Sequence, residues 1–369
     1  MKRTASIRLD LDFSQIQKSI SLTEAYENAC NQIVPFVVEH RCWNRVALHN
    51  LAYSKVRASS KLGSQMVCNA IFSVCKAYQN RQIPKGEEIP TIVFRRGRSV
   101  HFDKRTYTIK GEYISLYTLE GRITVKMRMS PYQQAYLNQG LPKEGELICK
   151  KGKWYFNLVF DLPDPSATQN TAVFAIDTGE NNLAVTSSGK FFGGGKIRHE
   201  RDQYLAKRRR LQSNGSQSAK QLMRKISGKE ARRVKQINHE VSKEIIKEAI
   251  VQNAGVIVLE DLTHIRKRIK AGKKMRSRLL RWPFRQLQEF LAYKAESQGL
   301  RVVYINPAFS SQTCSNCCNL GIRKGSYFKC DCGNQQHSDL NASRTLCRFA
   351  TSIGAATCPV NRTQVAAQS

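Results

Sequence analysis

The chain has 369 residues, 41% of them apolar, enough for two or three domains with cores of their own. Sixty Lys and Arg against 28 Asp and Glu leave a net charge of +32, which calls for a polyanionic partner, nucleic acid before a membrane surface. No run of 18 apolar residues offers a membrane span, and the charged, alternating start Met1 to Phe13 is not a signal peptide. Of twelve cysteines, five crowd into 314–332. The other seven (Cys30, Cys42, Cys68, Cys75, Cys149, Cys347, Cys358) are scattered, and the expectation is free thiols in a reducing cytosol.

Ile7, Leu9, Leu11 and Phe13 alternate with polar residues, the pattern of a half-buried strand. Ser21-Leu22-Thr23-Glu24 reads as a capping box opening a helical stretch to about Tyr78, with a kink near Pro35. Within it Val67, Ile71, Val74 and Tyr78 share one face, which reads as core. Residues 84–165 switch to short β runs punctuated by Gly97, Gly111 and Glu120-Gly121. Leu147-Ile148-Cys149 and Trp154-Tyr155-Phe156 flank a Lys/Gly turn and predict a hairpin. Strands at this spacing suggest a small β-barrel, completed by the N-terminal strand, with the helical segment as an insertion. Arg95-Arg96 and Lys104-Arg105 are candidates for phosphate contact. Pro163-Asp164-Pro165-Ser166 is a breaker and a linker.

After the linker, Val173 to Ile176 is a short apolar run that reads as a buried strand ending in Asp177. A turn at Gly179 to Asn182, a strand from Leu183 to Thr186 and Phe191-Phe192 follow. A lone strand-end Asp is more often a turn residue than a ligand. Here two further acids join it. Val256 to Leu259 is a second buried run, ending in Glu260, and His337-Ser338-Asp339 puts Asp339 in the first turn of a helix. Three acids on two strand ends and a helix start suit a two-metal phosphoryl-transfer site, because Mg²⁺ takes hard oxygen ligands.

Between the acids the chain is basic. From Arg201 to Arg285 there are 24 Lys and Arg against 7 Asp and Glu, more imbalance than solubility requires. The candidates for phosphate contact here are Lys207, Arg208, Arg209, Arg210, Arg232 and Arg233, then Arg266, Lys267, Arg268, Lys273 and Lys274. Ser213 to Ser218 reads as a loop between two helices. Arg266 to Arg281 is expected to be a mobile lid over the acids, and Trp282-Pro283-Phe284 to open a helix whose apolar face is Phe284, Leu287, Leu291 and Ala295. Leu300 to Ile305 is a further strand. Cys314-x-x-Cys317 and Cys330-x-Cys332 supply four thiolates for a tetrahedral structural zinc. Residues 355–369 look like a flexible tail.

The runs IDTGENNLAV, VIVLEDL, FSSQTCSNC and HSDLNASRTL resemble the TnpB family of transposon-encoded, RNA-guided DNA nucleases, specifically over about 171–347 and more loosely over 1–165. The resemblance implies an α/β RNase H-like (RuvC) nuclease domain preceded by a wedge (WED) barrel with an inserted helical recognition lobe. It divides the chain as barrel strand 1–20, recognition lobe 21–82, barrel 83–165, nuclease 166–309, zinc-binding insertion 310–336, nuclease C-terminal helix 337–354 and tail 355–369. It implies Asp177, Glu260 and Asp339 as catalytic ligands of two Mg²⁺ ions, one structural Zn²⁺, a guide RNA and a target double-stranded DNA as partners, and no membrane. The barrel and lobe would hold the guide scaffold and read a short adjacent DNA motif. In the family the basic helical hairpin flanks the guide–target duplex. Cleavage would leave a 5′-phosphate and a 3′-hydroxyl. A monomer in a prokaryotic cytoplasm, beside the nucleoid, is the expected state, purifying with RNA. A miniature type V CRISPR effector shares the same motifs, and a guided DNA-binding regulator that does not cut is the alternative outside the enzymes. Two departures stand out: the second cysteine pair is Cys-x-Cys where the family has Cys-x-x-Cys, and Cys318 stands where Gly is common. Cys318 or His337 is therefore a possible substitute ligand.

Overall fold

The computed structural model describes residues 1–81, 83–84, 86–95, 97–179, 181–262, 284–306 and 310–352. Strand β1 (Lys2–Asp10) buries Ala5, Ile7 and Leu9 on one face. It stops at Asp10, because Asp12 caps the next helix: its carboxylate accepts the Gln15 N–H while Gln15 returns a bond to the Asp12 N–H. Helix α1 (Phe13–His40) therefore starts eight residues before the expected capping box, and Phe13 is 77% exposed rather than the last inward residue of a strand. The helix runs through Pro35 without interruption. Helices α2 (Arg45–Ser59) and α3 (Ser64–Gln79) complete the insertion, and Val67, Ile71, Val74 and Tyr78 are buried as their spacing predicts. Tyr26 of α1 donates its hydroxyl to the Asn69 carbonyl of α3 at 2.7 Å.

The β region follows as β2 (Val100–Phe102), β3 (Tyr107–Lys110), β4 (Tyr113–Thr118), β5 (Gly121–Arg128), α4 (Pro131–Gln139), β6 (Leu141–Lys150) and β7 (Lys153–Asp161). Helix α4 was not expected among strands. Its signals were present: Ser130 caps it, Gln133 answers from the third position, and Pro131 sits where a missing N–H does no harm. The hairpin between β6 and β7 pairs Leu147 with Phe156 and Cys149 with Trp154, and its turn holds Lys151 and Gly152 both at positive φ. The antiparallel sheet runs β2-β6-β7-β1-β5-β4-β3. Its two edges, β2 and β3, are consecutive in the chain and separated by a turn that Asp103 and Thr106 lock with mutual hydrogen bonds. The sheet thus curls into a nearly closed barrel around Phe102, Ile114, Leu116, Val125, Phe156 and Leu158. This unit spans Met1–Pro163.

The second unit, Asp164–Ser369, is built on a five-stranded sheet. Its elements are β8 (Ala172–Asp177), β9 (Asn182–Thr186), β10 (Phe191–Gly193), α5 (Gly195–Asn214), α6 (Gln217–Ile226), α7 (Lys229–Val251), β11 (Ala254–Glu260), α8 (Phe284–Glu296), β12 (Arg301–Ile305), a small sheet of β13 (Ile322–Lys324), β14 (Tyr327–Lys329) and β15 (Gln335–His337), and α9 (Ser338–Ser352). The order is β10-β9-β8-β11-β12, with β8, β11 and β12 parallel and β9 and β10 antiparallel to their neighbours. All seven residues of β11 are buried, as a central parallel strand covered on both faces requires. Ile257 and Leu259 meet Ile245 of α7 and Leu287 and Leu291 of α8, whereas Val256 and Val258 meet Leu346 and Ala350 of α9. At about 1.5–3 kcal/mol per buried aliphatic side chain, this layering fixes the sheet. Gly255 lets the approach to β8 pass close by, since a Cβ there would sit 1.6 Å from the Asn170 carbonyl oxygen.

Helix α5 has no buried residue. Among the described residues no helix is long and apolar enough to cross a membrane. The expected lid over 266–281, the helix start at Trp282-Pro283 and the tail from Ala355 lie outside the described residues.

Candidate active site

The register of the parallel pair decides where the first two acids go. Ile176 pairs with Leu259, so Asp177 and Glu260, one residue further on, end neighbouring strands side by side. Side chains at the carboxyl ends of parallel strands point into the crevice where α/β sheets bind ligands. Helix α9 packs across β8 and β9 and brings Asp339, in its first turn, to the same end. The three acids sense one another. Burial, then the Glu260 and Asp339 carboxylates, push Asp177 well above the usual carboxylate range, against the opposing pull of Arg323 and the Thr178 N–H. Burial pushes Glu260 up to about 7, with Asp339 adding to it and the Ser310 hydroxyl and Arg323 opposing.

Glu260 and Asp339 also have holders. Ser310 donates its hydroxyl to Glu260 Oε1 at 3.1 Å, and Gln288 of α8 donates to the Glu260 carbonyl at 2.8 Å. Asn182 Nδ2 donates to Asp339 Oδ2 at 2.9 Å, and Arg323 places a guanidinium nitrogen 3.3 Å from Asp339 Oδ1. The Asp339 N–H donates to His337 Nδ1 at 3.2 Å, which occupies that imidazole nitrogen, and Phe191 stacks edge-on against the ring at 5.0 Å. Sequence reading missed Arg323 and the role of Asn182. Asn182 sat in a stretch that reads as a turn. Arg323 reaches the acids only because a hairpin folds it back across 16 residues, which no local pattern encodes.

The donor set suits a hard cation. Arg323 pairs with Asp339 at 3.3 Å and its charge is felt by Asp177 and Glu260, and the buried Thr178 hydroxyl beside Asp177 has no hydrogen-bond partner among the described residues. Oxygen-only donors of this charge fit Mg²⁺ far better than a soft metal.

A second donor set lies in the small sheet. The Sγ atoms of Cys314, Cys317, Cys330 and Cys332 all lie within 4.8 Å of one another, with Cys314 and Cys332 3.6 Å apart and Cys317 and Cys330 3.5 Å apart. Tetrahedral zinc with bonds of about 2.3 Å needs sulfur separations of about 3.8 Å, so the four thiols fit that metal. Burial raises the Cys314 thiol, but the N–H groups of Cys317, Asn334 and Asn316 outweigh it and bring it down to about 6. Cys318 stands outside this cluster, exposed and at φ +66°, a backbone geometry that explains why glycine suits the position. His337 is likewise turned to Asp339 rather than to the thiols. The cluster is tied to α9: Asn341 accepts from the Ser315 N–H and from Gln336 at 3.0 Å each, and donates to the Thr313 carbonyl at 2.7 Å.

Of the basic candidates, Lys207, Arg208, Arg209 and Arg210 are exposed on α5 and Arg232 is exposed on α7. Arg233, next to it, turns away to pair with Glu200 at 3.3 Å. In the first unit Arg95 and Lys104 are exposed, and Arg105 is bonded to Gln65 at 3.0 Å. Arg96, Arg266, Lys267, Arg268, Lys273 and Lys274 lie outside the described residues.

Two family models match: one described as a probable transposase over residues 157–266, and one described as the Cas12f1-like TNB domain over 284–346. A Cas12f1 endodeoxyribonuclease of Sulfoacidibacillus thermotolerans is 31% identical over 233 residues, 53% of this chain and 50% of that protein, so the chain spans half the length of that relative. A cryo-EM structure of a Cas12f1–sgRNA–target DNA complex superposes with a TM-score of 0.65 over 90% of this chain and 82% of that one, at 14% identity, a likeness of fold. A TnpB-like protein of Methanocaldococcus jannaschii is 31% identical over 269 residues, 67% of this chain and 94% of that protein. Identity sustained along nearly the whole of a relative is kinship rather than a shared motif, and the chain belongs to the TnpB family.

Proposed function

We propose that the chain is an RNA-guided DNA endonuclease whose second unit is a RuvC-like nuclease, with Asp177, Glu260 and Asp339 as ligands of two Mg²⁺ ions. The observation that carries this reading is the convergence of three mutually repelling carboxylates at the carboxyl ends of β8 and β11 and the start of α9. The Cas12f1 relatives are named endodeoxyribonucleases, which supports the substrate class. When bound, the two ions supply charge that favours attack of water on a phosphodiester and stabilises the leaving oxygen.

The chain's own groups set that geometry. Asn182 and Arg323 fix the two oxygens of Asp339 in different directions, and Ser310 fixes Oε1 of Glu260. Arg323 carries the positive charge opposite the acids and is placed to meet a phosphate oxygen of the strand being cut. The four cysteines hold one zinc, which keeps the hairpin bearing Arg323 folded although it has only Phe328 and the cysteines as a core. The basic faces of α5 and α7 contact nucleic-acid backbone without reading its sequence.

The test is to sequence the RNA that co-purifies, then assay plasmid cleavage with Mg²⁺ for wild type and Asp177→Ala. One discrete RNA whose variable end directs cutting, abolished by Asp177→Ala, is the expected result. Directed binding without cutting in the wild type would make the chain a regulator. A CRISPR array beside the gene, instead of a transposon end, would place it with the type V effectors.

A further inference from the structure

The cysteine-bearing insertion consists of two tight turns and the sheet β13-β14-β15. Each turn closes by itself. The Cys314 N–H donates to the Asn319 carbonyl at 2.8 Å, and the Cys330 N–H donates to the Asn334 carbonyl at 2.9 Å. What these bonds leave open is the join between the two turns. Asn334 and Gln336 reach across it to the Ser315 hydroxyl at 3.4 and 2.8 Å. Its apolar content among the described residues is Phe328 and the cysteines, so the join rests largely on sulfur.

The four sulfurs are not equivalent. Cys314 lies 3.6 Å from Cys332 and Cys317 lies 3.5 Å from Cys330, so each close pair takes one sulfur from each turn. Each pair also sets a buried thiol against a more open one. Cys314 is 0% exposed and Cys332 is exposed, whereas Cys330 is 4% exposed and Cys317 half-buried. The Asn316 N–H at 3.4 Å and Asn334 Nδ2 at 3.2 Å donate to the Cys314 sulfur and hold it in place. A disulfide bond is about 2.05 Å long, so closing either pair asks about 1.5 Å of sulfur movement. The other thiols are set apart. Cys30 and Cys75 are buried, Cys347 donates to the Val173 carbonyl at 3.3 Å, and Cys318 is exposed but outside the cluster.

We infer that the four-thiol cluster is a redox-convertible clasp: hydrogen peroxide joins Cys314 to Cys332 and Cys317 to Cys330, and the two disulfides replace the metal as the link between the turns. The open thiolate of each pair, Cys332 or Cys317, attacks one peroxide oxygen. The O–O bond breaks, hydroxide leaves and a sulfenic acid remains. The buried thiolate of the same pair then attacks that sulfur. An S–S bond forms, the S–O bond breaks and a second hydroxide leaves. Each pair gives up two electrons and one peroxide takes them, so two peroxides turn four thiolates into two disulfides and four hydroxides, and zinc leaves unchanged as Zn²⁺. Because both links cross between the turns, the oxidised clasp keeps the hairpin that brings Arg323 to 3.3 Å from Asp339. A link inside one turn, Cys314 to Cys317 or Cys330 to Cys332, would not hold it. This chemistry is independent of what the acids do.

The test titrates the full-length, zinc-loaded protein with hydrogen peroxide. A chromogenic chelator reads released zinc, and mass spectrometry of the denatured tryptic digest reads the links. Trypsin cuts after Arg323 and Lys329, so the two turns fall on different peptides and only a cross-turn link joins them. The expected result is zinc release matched by that joined peptide, with Cys318→Gly behaving as wild type and Cys332→Ser keeping the Cys317–Cys330 link alone. Limited trypsin on the folded protein reads the hairpin. Chelator should open Arg323 and Lys324 to cutting in the reduced protein and leave them protected in the oxidised one. Zinc retained under peroxide, links inside one turn, a link through Cys318, or an oxidised hairpin cut as fast as the reduced and chelated one overturns the proposal. Both links formed in a protein that carries no zinc would fail the zinc assignment and leave the clasp standing.

Discussion

Replacing Glu260 by Gln removes a charge that the metal-free protein holds at a cost. Glu260 is 8% exposed, and its carboxyl is pushed from 4.5 to about 7. A raised carboxyl pKa means that the folded state binds the proton more tightly, so its contribution to stability is present at low pH and lost as pH rises from about 4.5 through 7. The difference of about 2.5 units corresponds to about 3 kcal/mol at pH 8, falling to about 1 kcal/mol at pH 5. Gln keeps an amide oxygen for the Ser310 hydroxyl, so the substitution removes charge without orphaning its neighbour. Metal-free Glu260→Gln should therefore melt about 6–12 °C above wild type at pH 8, using about 2–4 °C per kcal/mol for a unit of this size. The gap should shrink to a few degrees at pH 5. Calorimetric melts in chelator at the two pH values measure it. Adding Mg²⁺ should raise the wild-type transition and leave the variant's nearly still. A variant no more stable than wild type at pH 8, or one equally stabilised at both pH values, refutes the idea that burial, with Asp339 adding to it, penalises the Glu260 charge until a cation arrives.

Other substitutions separate the remaining parts. Arg323 holds both Asp177 and Glu260 below where they would otherwise stand, so Arg323→Ala should move the acidic limb of the cleavage pH profile upward as well as slow cutting. An unshifted profile with slower cutting would leave Arg323 a role on substrate alone. Cys318→Gly should leave the zinc content at one per chain and relieve roughly 1 kcal/mol of left-handed backbone strain, whereas Cys332→Ser should lose the metal; elemental analysis and melting read both. Gly255→Ala should cost about 3 kcal/mol or more, seen as a lowered melting point, because its Cβ meets the Asn170 carbonyl and backbone has to move.

The parts that were legible in the sequence are those with local periodicity. The apolar runs ending in Asp177 and Glu260, the face Val67-Ile71-Val74-Tyr78 and the Lys151-Gly152 hairpin each carry their own signal within a few residues. Asp12 outcompeted Ser21 as a cap, because an acid with Gln15 three residues on satisfies two N–H groups wherever it falls, and it fell earlier. Helix α4 was hidden by its setting among strands, although Ser130, Pro131 and Gln133 mark it. The candidate site was legible as a set of acids and thiols but not as a geometry. Arg323, Asn182 and Ser310 reach their acids through tertiary folding, across separations of 16, 157 and 50 residues. The basic face of α7 was half visible: Arg232 and Arg233 look alike in the sequence, and only the fold shows that Arg233 pairs with Glu200.

The turn at Gly215 and Ser216, between α5 and α6, interrupts a stretch in which α5 buries nothing and α6 buries only Ala219 and Ile226. The chain could be opened there with little loss of core. The two pieces would divide the acids unequally, with Asp177 on the first and Glu260 and Asp339 on the second. Neither piece holds all three acids, and what rejoins them is the parallel pairing of β8 with β11 and the packing of α9 across both. If the three acids carry the proposed chemistry, the fold contains the division of a two-component enzyme, silent as separate halves and restored when their strands meet.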